Sequence, residues 1–278
     1  MFLLSFFKIY GIIGIIKEKN GDKRMKRYTK ERYIGSGGIV AREKTISGEY
    51  STHRHEFYEI EYILSGSGEY RIDDNVYEIK AGMLFFMTPF HFHSVSAQDC
   101  KVYNIMFSES LCDTNFLVRL LHSDDSPAID TDGSDTDFWK AVLHEIVSAE
   151  RDTMYASYLL NSVLGKLASK HLNSDTVAPP IKNDMMYLLH HFRENPTLAQ
   201  TAEHVGYAPS YFSAVFKQET GFGYKEYLDR LRFDYAKKLI KHSRMPMIQI
   251  CRESGFDDYP NFIRRFKKRF GVSPANMD

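Results

Sequence analysis

Apolar residues near the end of the chain follow the same pattern twice. Residues 206–221 contain a glycine, an aromatic residue, two phenylalanines four positions apart, a lysine and a second glycine, and residues 255–271 repeat this order. Residues four apart lie on one face of a helix, and glycine commonly ends a helix because it tolerates the left-handed conformation. Each copy therefore predicts a short helix between two glycine turns.

Residues ahead of each copy predict where the helices begin. Thr197 and Gln200 have the spacing of a capping box, in which each side chain bonds a backbone N–H at the start of a helix. This helix is expected to end near His204. Pro209 and Pro260 then fit the first turn of the following helix, where the N–H that proline lacks is not needed.

The two copies predict two helix-turn-helix units, at about residues 197–218 and 246–269. Between them, apolar residues recur at helical spacing from Tyr224 to Leu239, which predicts one long connecting helix. A helix, a tight turn and a second helix form the arrangement that lays the second helix in the major groove of DNA. The sequence therefore predicts a DNA-binding protein.

The last third of the chain resembles the DNA-binding domain of AraC-type transcriptional regulators. The residues that carry this resemblance are 216–221, 227–232, 255–256 and 266–274. Cys251 and Ala208 depart from the family pattern, which usually has alanine and serine there. The resemblance implies that double-stranded promoter or operator DNA is a partner, and that RNA polymerase is another if the protein activates transcription.

Helical phase separates the buried residues of each second helix from those that can reach DNA. The four phenylalanines of the repeat are predicted to be core. Arg264 and Asn261 have base-reading chemistry, because arginine pairs with guanine and asparagine with adenine, whereas Lys268 is expected to contact phosphate. The candidate DNA-binding residues are Ser210, Ser213, Ala214, Lys217, Tyr259, Asn261, Arg264, Lys267 and Lys268.

From about Tyr33 to Phe107 the composition changes. Short runs rich in tyrosine, isoleucine, valine and phenylalanine are separated by glycine and aspartate turns, as at residues 65–68 and 73–75. Regularly spaced strands of this kind predict a small β-barrel or jelly roll. The predicted fold class is therefore α+β multidomain: a β-barrel or jelly roll, which the motifs described next make cupin-like by resemblance, then helices, then an all-α tandem helix-turn-helix domain.

Two histidine-containing motifs lie in the predicted barrel. The first runs His53-x-His55-x3-Glu59, and the second ends at His93. Both resemble the signature motifs of cupin barrels, which also form the ligand-sensing domain of many AraC-type regulators. Strand alternation places His53 and His55 on one face, so both can point into the barrel.

These residues allow three interpretations: ligands of a divalent transition metal, contacts to an effector without metal, or structural polar residues. The second motif is degraded, because Thr88 and Phe90 replace its proline and glycine, and His91 adds an imidazole that can face the same side. The candidate effector-binding residues are His53, His55, Glu59, His91 and His93. The candidate metal ligands are His53, His55, Glu59 and His93.

The remaining segments complete the domain plan. Residues 123–137 are rich in aspartate, serine and threonine and predict a loop too polar to pack. The helices that follow are expected to form a homodimer by family resemblance, with packing inside one chain as the alternative. The predicted boundaries are 1–24 (leader), 25–122 (barrel), 123–137 (acidic loop), 138–172 (helices), 173–180 (linker) and 181–278 (DNA-binding domain).

Residues 1–24 are mostly apolar up to Ile16. The apolar stretch is too short to span a membrane, no basic residue precedes it, and it lacks a signal-peptidase site. We expect Met25 to be the working start and residues 1–24 to be an over-extended reading frame. A membrane-associated tail and an extra packed helix or strand are the alternatives.

Charge divides along the same boundary. Residues 180–278 hold 16 Lys and Arg against 11 Asp and Glu, whereas residues 25–179 hold 15 against 23, so the formal net charge of zero hides two opposite halves. A basic domain suits phosphate and an acidic one does not. The three cysteines show no pairing pattern, which suits a reducing cytoplasm.

The sequence therefore predicts a cytoplasmic, sequence-specific DNA-binding transcription regulator controlled by a small molecule in the barrel. No residue is predicted to be catalytic, and no membrane association is expected. Family resemblance favours a sugar-like effector. Two alternatives stay open: a metal-dependent cupin enzyme, and a constitutive DNA-binding regulator whose barrel only dimerises.

Overall fold

The computed structural model describes residues 26–122, 126–131, 135–149, 152–169 and 179–277. The predicted leader, residues 1–24, and residues 173–178 of the predicted linker lie outside them. The strands are β1 (Lys26–Tyr28), β2 (Ile39–His55), β3 (Tyr58–Ile72), β4 (Asn75–Ile79), β5 (Met83–Met87), β6 (His93–Phe107) and β7 (Ala128–Asp130). The helices are α1 (Lys30–Tyr33), α2 (Thr114–His122), α3 (Thr136–Ser148), α4 (Thr153–Ser169), α5 (Pro179–His191), α6 (Leu198–His204), α7 (Pro209–Thr220), α8 (Tyr224–His242), α9 (Met247–Glu253) and α10 (Tyr259–Phe270).

Three long antiparallel strands dominate the N-terminal domain, which comprises the described residues from 26 to 169. The sheet order is β1-β2-β6-β3-β5-β7, with β4 also pairing to β3. The strand β1 runs parallel to β2, and the other pairs are antiparallel. The predicted β-rich, cupin-like class is confirmed, and over the described residues the hydrogen-bonded path of the sheet has two ends, β1 and β7.

The two faces of this sheet carry different residues because side chains alternate along each strand. Tyr58, Ile60 and Tyr62 of β3 are buried against α2, α3 and α4, around the fully buried Trp139. Glu59 and Glu61 alternate with them on β3, so they lie on the opposite face. The helices therefore cover one face of the sheet, and the polar residues of the first histidine motif lie on the other.

The prediction that residues 123–137 form a loop too polar to pack was wrong for part of the segment. Ala128 to Asp130 form β7 and pair with β5. Thr131 is buried, and its N–H donates to the carbonyl of Gly82 over 3.1 Å. The backbone supplies this pairing, so polar side chains do not prevent it. The helix α3 also begins at Thr136, inside the predicted loop.

The DNA-binding domain, residues 179–277, contains both predicted helix-turn-helix units. The first is α6 with α7, the second is α9 with α10, and α8 joins them over 19 residues. Thr197 and Gln200 form the predicted capping box, with both of its hydrogen bonds present. Pro209 and Pro260 lie in the first turn of α7 and α10 as predicted. The four phenylalanines predicted to be core are all buried: Phe212, Phe216, Phe262 and Phe266.

Gly206 and Gly255 occupy equivalent turns, with φ of 77° and 81°. A Cβ at Gly255 would lie 2.8 Å from the carbonyl oxygen of Arg193, whereas a Cβ at Gly206 would meet nothing within 4 Å.

We predict that Gly206→Ala lowers the free energy of unfolding by about 1 kcal/mol through backbone strain alone. Gly255→Ala should lower it by about 3 kcal/mol, because overpacking is added. Urea unfolding followed by circular dichroism measures both, and equal losses would contradict the packing argument.

Candidate DNA interface and histidine site

The outward face of α7 carries small side chains. Ser210, Ser213, Ala214 and Lys217 are all exposed, as the helical phase predicts. Tyr211 is also exposed, by 53%, and its ring centroid lies 5.3 Å from that of Tyr207. Tyr211 was not predicted, although its position directly before the buried Phe212 could have indicated it. This helix therefore offers hydroxyls, one aromatic ring and one lysine.

The outward face of α10 is more basic. Arg264, Lys267 and Lys268 are exposed, whereas Tyr259 and Asn261 are half-buried at the start of the helix. The guanidinium of Arg264 donates to the side-chain oxygen of Asn261 over 3.0 Å. The two predicted base-reading residues of α10 therefore lie side by side.

Two other arginines of α10 turn back toward the long connecting helix. Arg265 pairs with Asp229, and Arg269 pairs with Asp234 at 2.9 Å. Both aspartates belong to α8. These pairs stabilise the angle between the helices and leave Arg264 as the arginine of α10 that faces away from the domain.

The histidine site brings together three of the residues predicted from the barrel motifs. His55 at the end of β2, Glu59 on β3 and His93 at the start of β6 are all buried, and one potential ligand atom from each lies within 4.8 Å of the others. The Nε2 atom of His55 lies 2.9 Å from Oε2 of Glu59, and Nε2 of His93 lies 3.7 Å from the same oxygen.

The ring of His55 is oriented by the backbone. Its Nδ1 lies 2.7 Å from the carbonyl oxygen of Phe57, which can only accept, so Nδ1 carries a proton. In the neutral ring Nε2 would then have no proton, yet it faces a carboxylate oxygen. A second proton or a cation is needed between these two atoms. A backbone acceptor on the far nitrogen is also the usual way in which a metal-binding histidine is held.

His53 and His91 lie outside this cluster. The Nδ1 of His53 bonds the carbonyl oxygen of Ser51 at 2.9 Å, although the ring centroid lies only 4.2 Å from that of His93. The Nδ1 of His91 accepts from the N–H of Thr88 over 3.2 Å. The structure thus places His53 beside the cluster and His91 in the turn that precedes β6.

Several polar residues of the site were not predicted. The side-chain amide of Asn104 donates to Glu59 over 2.6 Å and to Glu61 over 3.1 Å. Glu61 also accepts from the hydroxyl of Tyr70 at 2.8 Å and pairs with Lys44 at 2.6 Å. These residues come from three strands, β2, β3 and β6, and form no sequence motif. The spacing of Glu59 and Glu61 was the available signal, since residues two apart share one face of a strand.

Burial and neighbouring charges together set the protonation states of the site. It lowers the pKa of His53 to about 4 and holds the pKa of His93 well below its usual value, with the neighbouring imidazoles adding to the shift. Burial alone would raise the pKa of Glu59, but the hydrogen bond and charge of His55, with Lys44, hold it well below its usual range. At neutral pH Glu59 is therefore ionised and His93 is neutral, which are the states that bind a metal.

The same strand segments contact the DNA-binding domain. Arg54, between His53 and His55, is 3% exposed, and its guanidinium lies 5.4 Å from the ring centroid of Tyr235 on α8. Phe92, just before His93, belongs to the buried core of the DNA-binding domain and stacks on His242 at 5.4 Å. At both places, one residue faces the histidine site and the residue next to it in sequence contacts the DNA-binding domain.

Ion pairs surround this contact. Lys238 pairs with Asp73 at 2.6 Å, and Lys241 pairs with Asp74 at 2.8 Å. Glu253 at the end of α9 contacts three arginines, from β1, from β2 and from the segment after α5. These are Arg27 at 3.6 Å, Arg54 at 3.7 Å and Arg193 at 2.9 Å.

Comparisons with known proteins agree with this two-domain arrangement. Residues 201–278 match the helix-turn-helix domain family, and residues 37–117 match the AraC-like ligand binding domain. The chain belongs to the AraC-type transcriptional regulators. The predicted DNA-binding regulator with a ligand-binding domain is thereby confirmed.

Three relatives show the extent of the similarity. The HTH-type transcriptional activator RhaS of Escherichia coli O81 (strain ED1a) is 23% identical over 270 residues, covering 87% of this chain and 92% of RhaS. The HTH-type transcriptional regulator YtdP of Bacillus subtilis (strain 168) is 30% identical over 122 residues, 43% of this chain but only 16% of YtdP. The solved C-terminal domain of AraT from Geobacillus stearothermophilus is 30% identical, with a TM-score of 0.36, and covers 37% of this chain and 86% of that domain.

The relatives of this AraC-type regulator are named transcriptional regulators, which favours that function over the cupin enzyme. Of the helices in the described ranges, none has the length and apolar character needed to cross a lipid bilayer.

Proposed function

We propose that this AraC-type regulator reads the bases of its operator mainly through α10. The helix α7 adds binding affinity and discriminates less between bases. The observation that supports this is the difference between the two outward faces. The exposed face of α10 presents Arg264, Lys267 and Lys268, whereas that of α7 presents two serines, an alanine, Tyr211 and Lys217. Bidentate arginine contacts to guanine discriminate strongly, and serine discriminates little.

Arg264 is the residue best placed to read a base. Arg265 and Arg269 are held by aspartates of α8, so they are not free to enter a groove. Arg264 instead bonds Asn261, which restricts the guanidinium before DNA is met. Lys268 lies one helical turn later and bears a flexible point charge, which suits phosphate.

We predict that Arg264→Ala weakens binding to the preferred operator by roughly 1–3 kcal/mol, and weakens binding much less when the contacted base pair is changed. Lys268→Ala should weaken binding to all sequences alike and reduce the log–log salt slope by about 1, because one phosphate contact is lost. Fluorescence anisotropy at several salt concentrations measures both. Equal weakening of matched and altered sites by Arg264→Ala would instead make Arg264 a phosphate contact.

Control by a small molecule is the second part of the proposal. The AraC-like ligand binding domain is shared with the family, and the histidine strands of this domain lie directly against α8. A ligand that moves those strands would therefore also move the DNA-binding domain, which shifts an equilibrium between arrangements of the two. The sugar-like class predicted from family resemblance remains one option for this ligand. The regulator would act in the cytoplasm, and would meet RNA polymerase if it activates transcription.

A divalent transition metal is proposed for the cluster of His55, Glu59 and His93. Two imidazoles and one carboxylate form a donor set of borderline hardness, which suits zinc and its neighbours in the periodic table. Nε2 of His93 faces the same carboxylate oxygen as Nε2 of His55, so one ion would contact all three side chains. A bound cation would supply a cross-link between β2, β3 and β6.

Protein purified without chelator is expected to carry roughly one transition-metal ion per chain. His93→Asn should lose the ion, whereas His53→Asn should keep it, because His53 is bonded to the backbone outside the cluster. Elemental analysis of the three proteins measures this. Less than about a tenth of an equivalent of metal in the unaltered protein would contradict the metal site. A proton between Nε2 of His55 and Oε2 of Glu59 would then explain their 2.9 Å separation.

A homodimer is proposed through the exposed face of α4. Met154 and Tyr158 are 67% and 65% exposed and, with Tyr155, form an apolar patch at the start of that helix. Exposed clusters of aromatic residues and methionine are typical of interfaces.

Tyr158→Asp is expected to weaken self-association at least about tenfold, whereas Tyr50→Asp, an equally large change at a 48% exposed site on β2, should not. Sedimentation velocity measures both; an unaltered protein that stays monomeric at all concentrations would contradict the dimer.

A further inference from the structure

The histidine cluster joins two parts of the sheet that are far apart along the strands. Glu59 pairs with Met106 near the end of β6, whereas His93 is the first residue of that strand. The side chains of Glu59 and His93 nevertheless approach to 3.7 Å. They can meet only because the long paired strands curve back on themselves. The cluster therefore lies where the curved sheet returns on itself, and His55 adds the end of β2 to it.

Backbone pairing holds this end of β2 to β6 at one residue pair. The ladder between the two strands has a register shift between Tyr50 and His53, and the pair that follows it is His53 with His93. His55 comes after that pair, and the described ladder gives it no partner on β6. The side chains of the cluster therefore supply much of the attachment between the end of β2 and the start of β6.

The sequence neighbours of two cluster residues contact a single helix of the DNA-binding domain. The guanidinium of Arg54 lies 5.4 Å from the ring centroid of Tyr235, and Phe92 stacks on His242 at 5.4 Å. Tyr235 and His242 are about two turns apart on α8, which is roughly 10 Å along its axis. Both contacts form when Arg54 and Phe92 have a matching separation. The cluster acts on that separation, because Arg54 precedes His55 and Phe92 precedes His93.

The helix α8 also positions both helix-turn-helix units. It connects α7 to α9, and two of its aspartates pair with Arg265 and Arg269 of α10. A change in how α8 docks on the barrel therefore moves both units together.

We propose that Arg54 and Phe92 couple the histidine cluster to α8, so that a divalent transition-metal ion in the cluster strengthens docking of the DNA-binding domain on the barrel. The regulator is then a metal sensor, and the metal is a ligand that controls it. This inference rests on the metal proposed above for the cluster. The coupling is reciprocal: an ion that favours docking is bound more tightly, by the same factor, when the domains are docked.

Hydroxyl-radical footprinting of the full chain measures the effect of metal on docking. Protein stripped by a chelator and dialysed is compared with the same protein given zinc. Phe92 is 1% exposed in the docked arrangement, and its oxidation should slow about fivefold or more when zinc is present. Tyr211, 53% exposed on α7, is the internal control and should be oxidised at the same rate in both samples. In His93→Asn, zinc should leave the oxidation of Phe92 unchanged, because the cluster is incomplete.

Zinc affinity, measured by competition with a chromophoric chelator, tests the reverse direction. His242→Ala removes the ring on which Phe92 stacks and lies in the other domain from the cluster, yet it should weaken zinc binding several-fold. His204→Ala is the matched control. It also removes an imidazole stacked on an aromatic ring, that of Tyr187 at 4.2 Å, but both rings belong to the DNA-binding domain. Zinc affinity should not change in this control, and circular dichroism checks that both variants are folded.

Three outcomes would overturn the coupling alone. The first is zinc that binds the unaltered protein without slowing the oxidation of Phe92. The second is an equal zinc effect in His93→Asn, which would place the responsible ion elsewhere. The third is equal zinc affinity of the folded His242→Ala and His204→Ala variants. If His242→Ala does not fold, the footprint of the unaltered protein still decides. Absence of zinc binding to the unaltered protein is a different result, and it would overturn the metal site together with the coupling.

Discussion

Side-chain alternation at the end of β2 and the start of β6 determines how the two domains relate. Along extended backbone, successive residues face opposite sides. His55 therefore faces the histidine site while Arg54 faces Tyr235, and His93 faces that site while Phe92 packs against the core of the other domain. A register shift of one residue would exchange these sets. The histidine site and the interdomain contact are thus two sides of the same strands.

The contact between the domains combines buried apolar residues, among them Phe92 and Met186, with a rim of ion pairs. Full burial of Phe92 contributes roughly 1.5–3 kcal/mol, whereas partly exposed ion pairs such as Lys241 with Asp74 contribute about 0–1 kcal/mol each. A ligand that changes these contacts would shift the equilibrium between arrangements of the two domains, as regulation by population shift requires.

Local interactions explain why the DNA-binding domain could be predicted in detail. The Thr197 and Gln200 cap, the prolines at helix starts and the paired phenylalanines each act within four residues, so their spacing is visible in the chain. The histidine site was only partly predictable. Its motif identified His55, Glu59 and His93, but Lys44 and Asn104 join it through pairing between strands that are far apart in sequence. The strand β7 was missed because backbone pairing does not depend on polar side-chain composition.

The three arginines around Glu253 have a consequence for how DNA binding must be measured. Arg27 and Arg54 belong to the N-terminal domain, so their attraction to α9 is an ion pair within the chain, and dissolved salt screens it together with the attraction between lysine and phosphate. The salt slope of the full chain is then the sum of two processes: counterions released from DNA, and a change in how firmly the two domains hold each other. When two variants keep the same Glu253 contacts, the second process contributes equally to both salt slopes. The difference between their slopes then reports only the number of phosphate contacts.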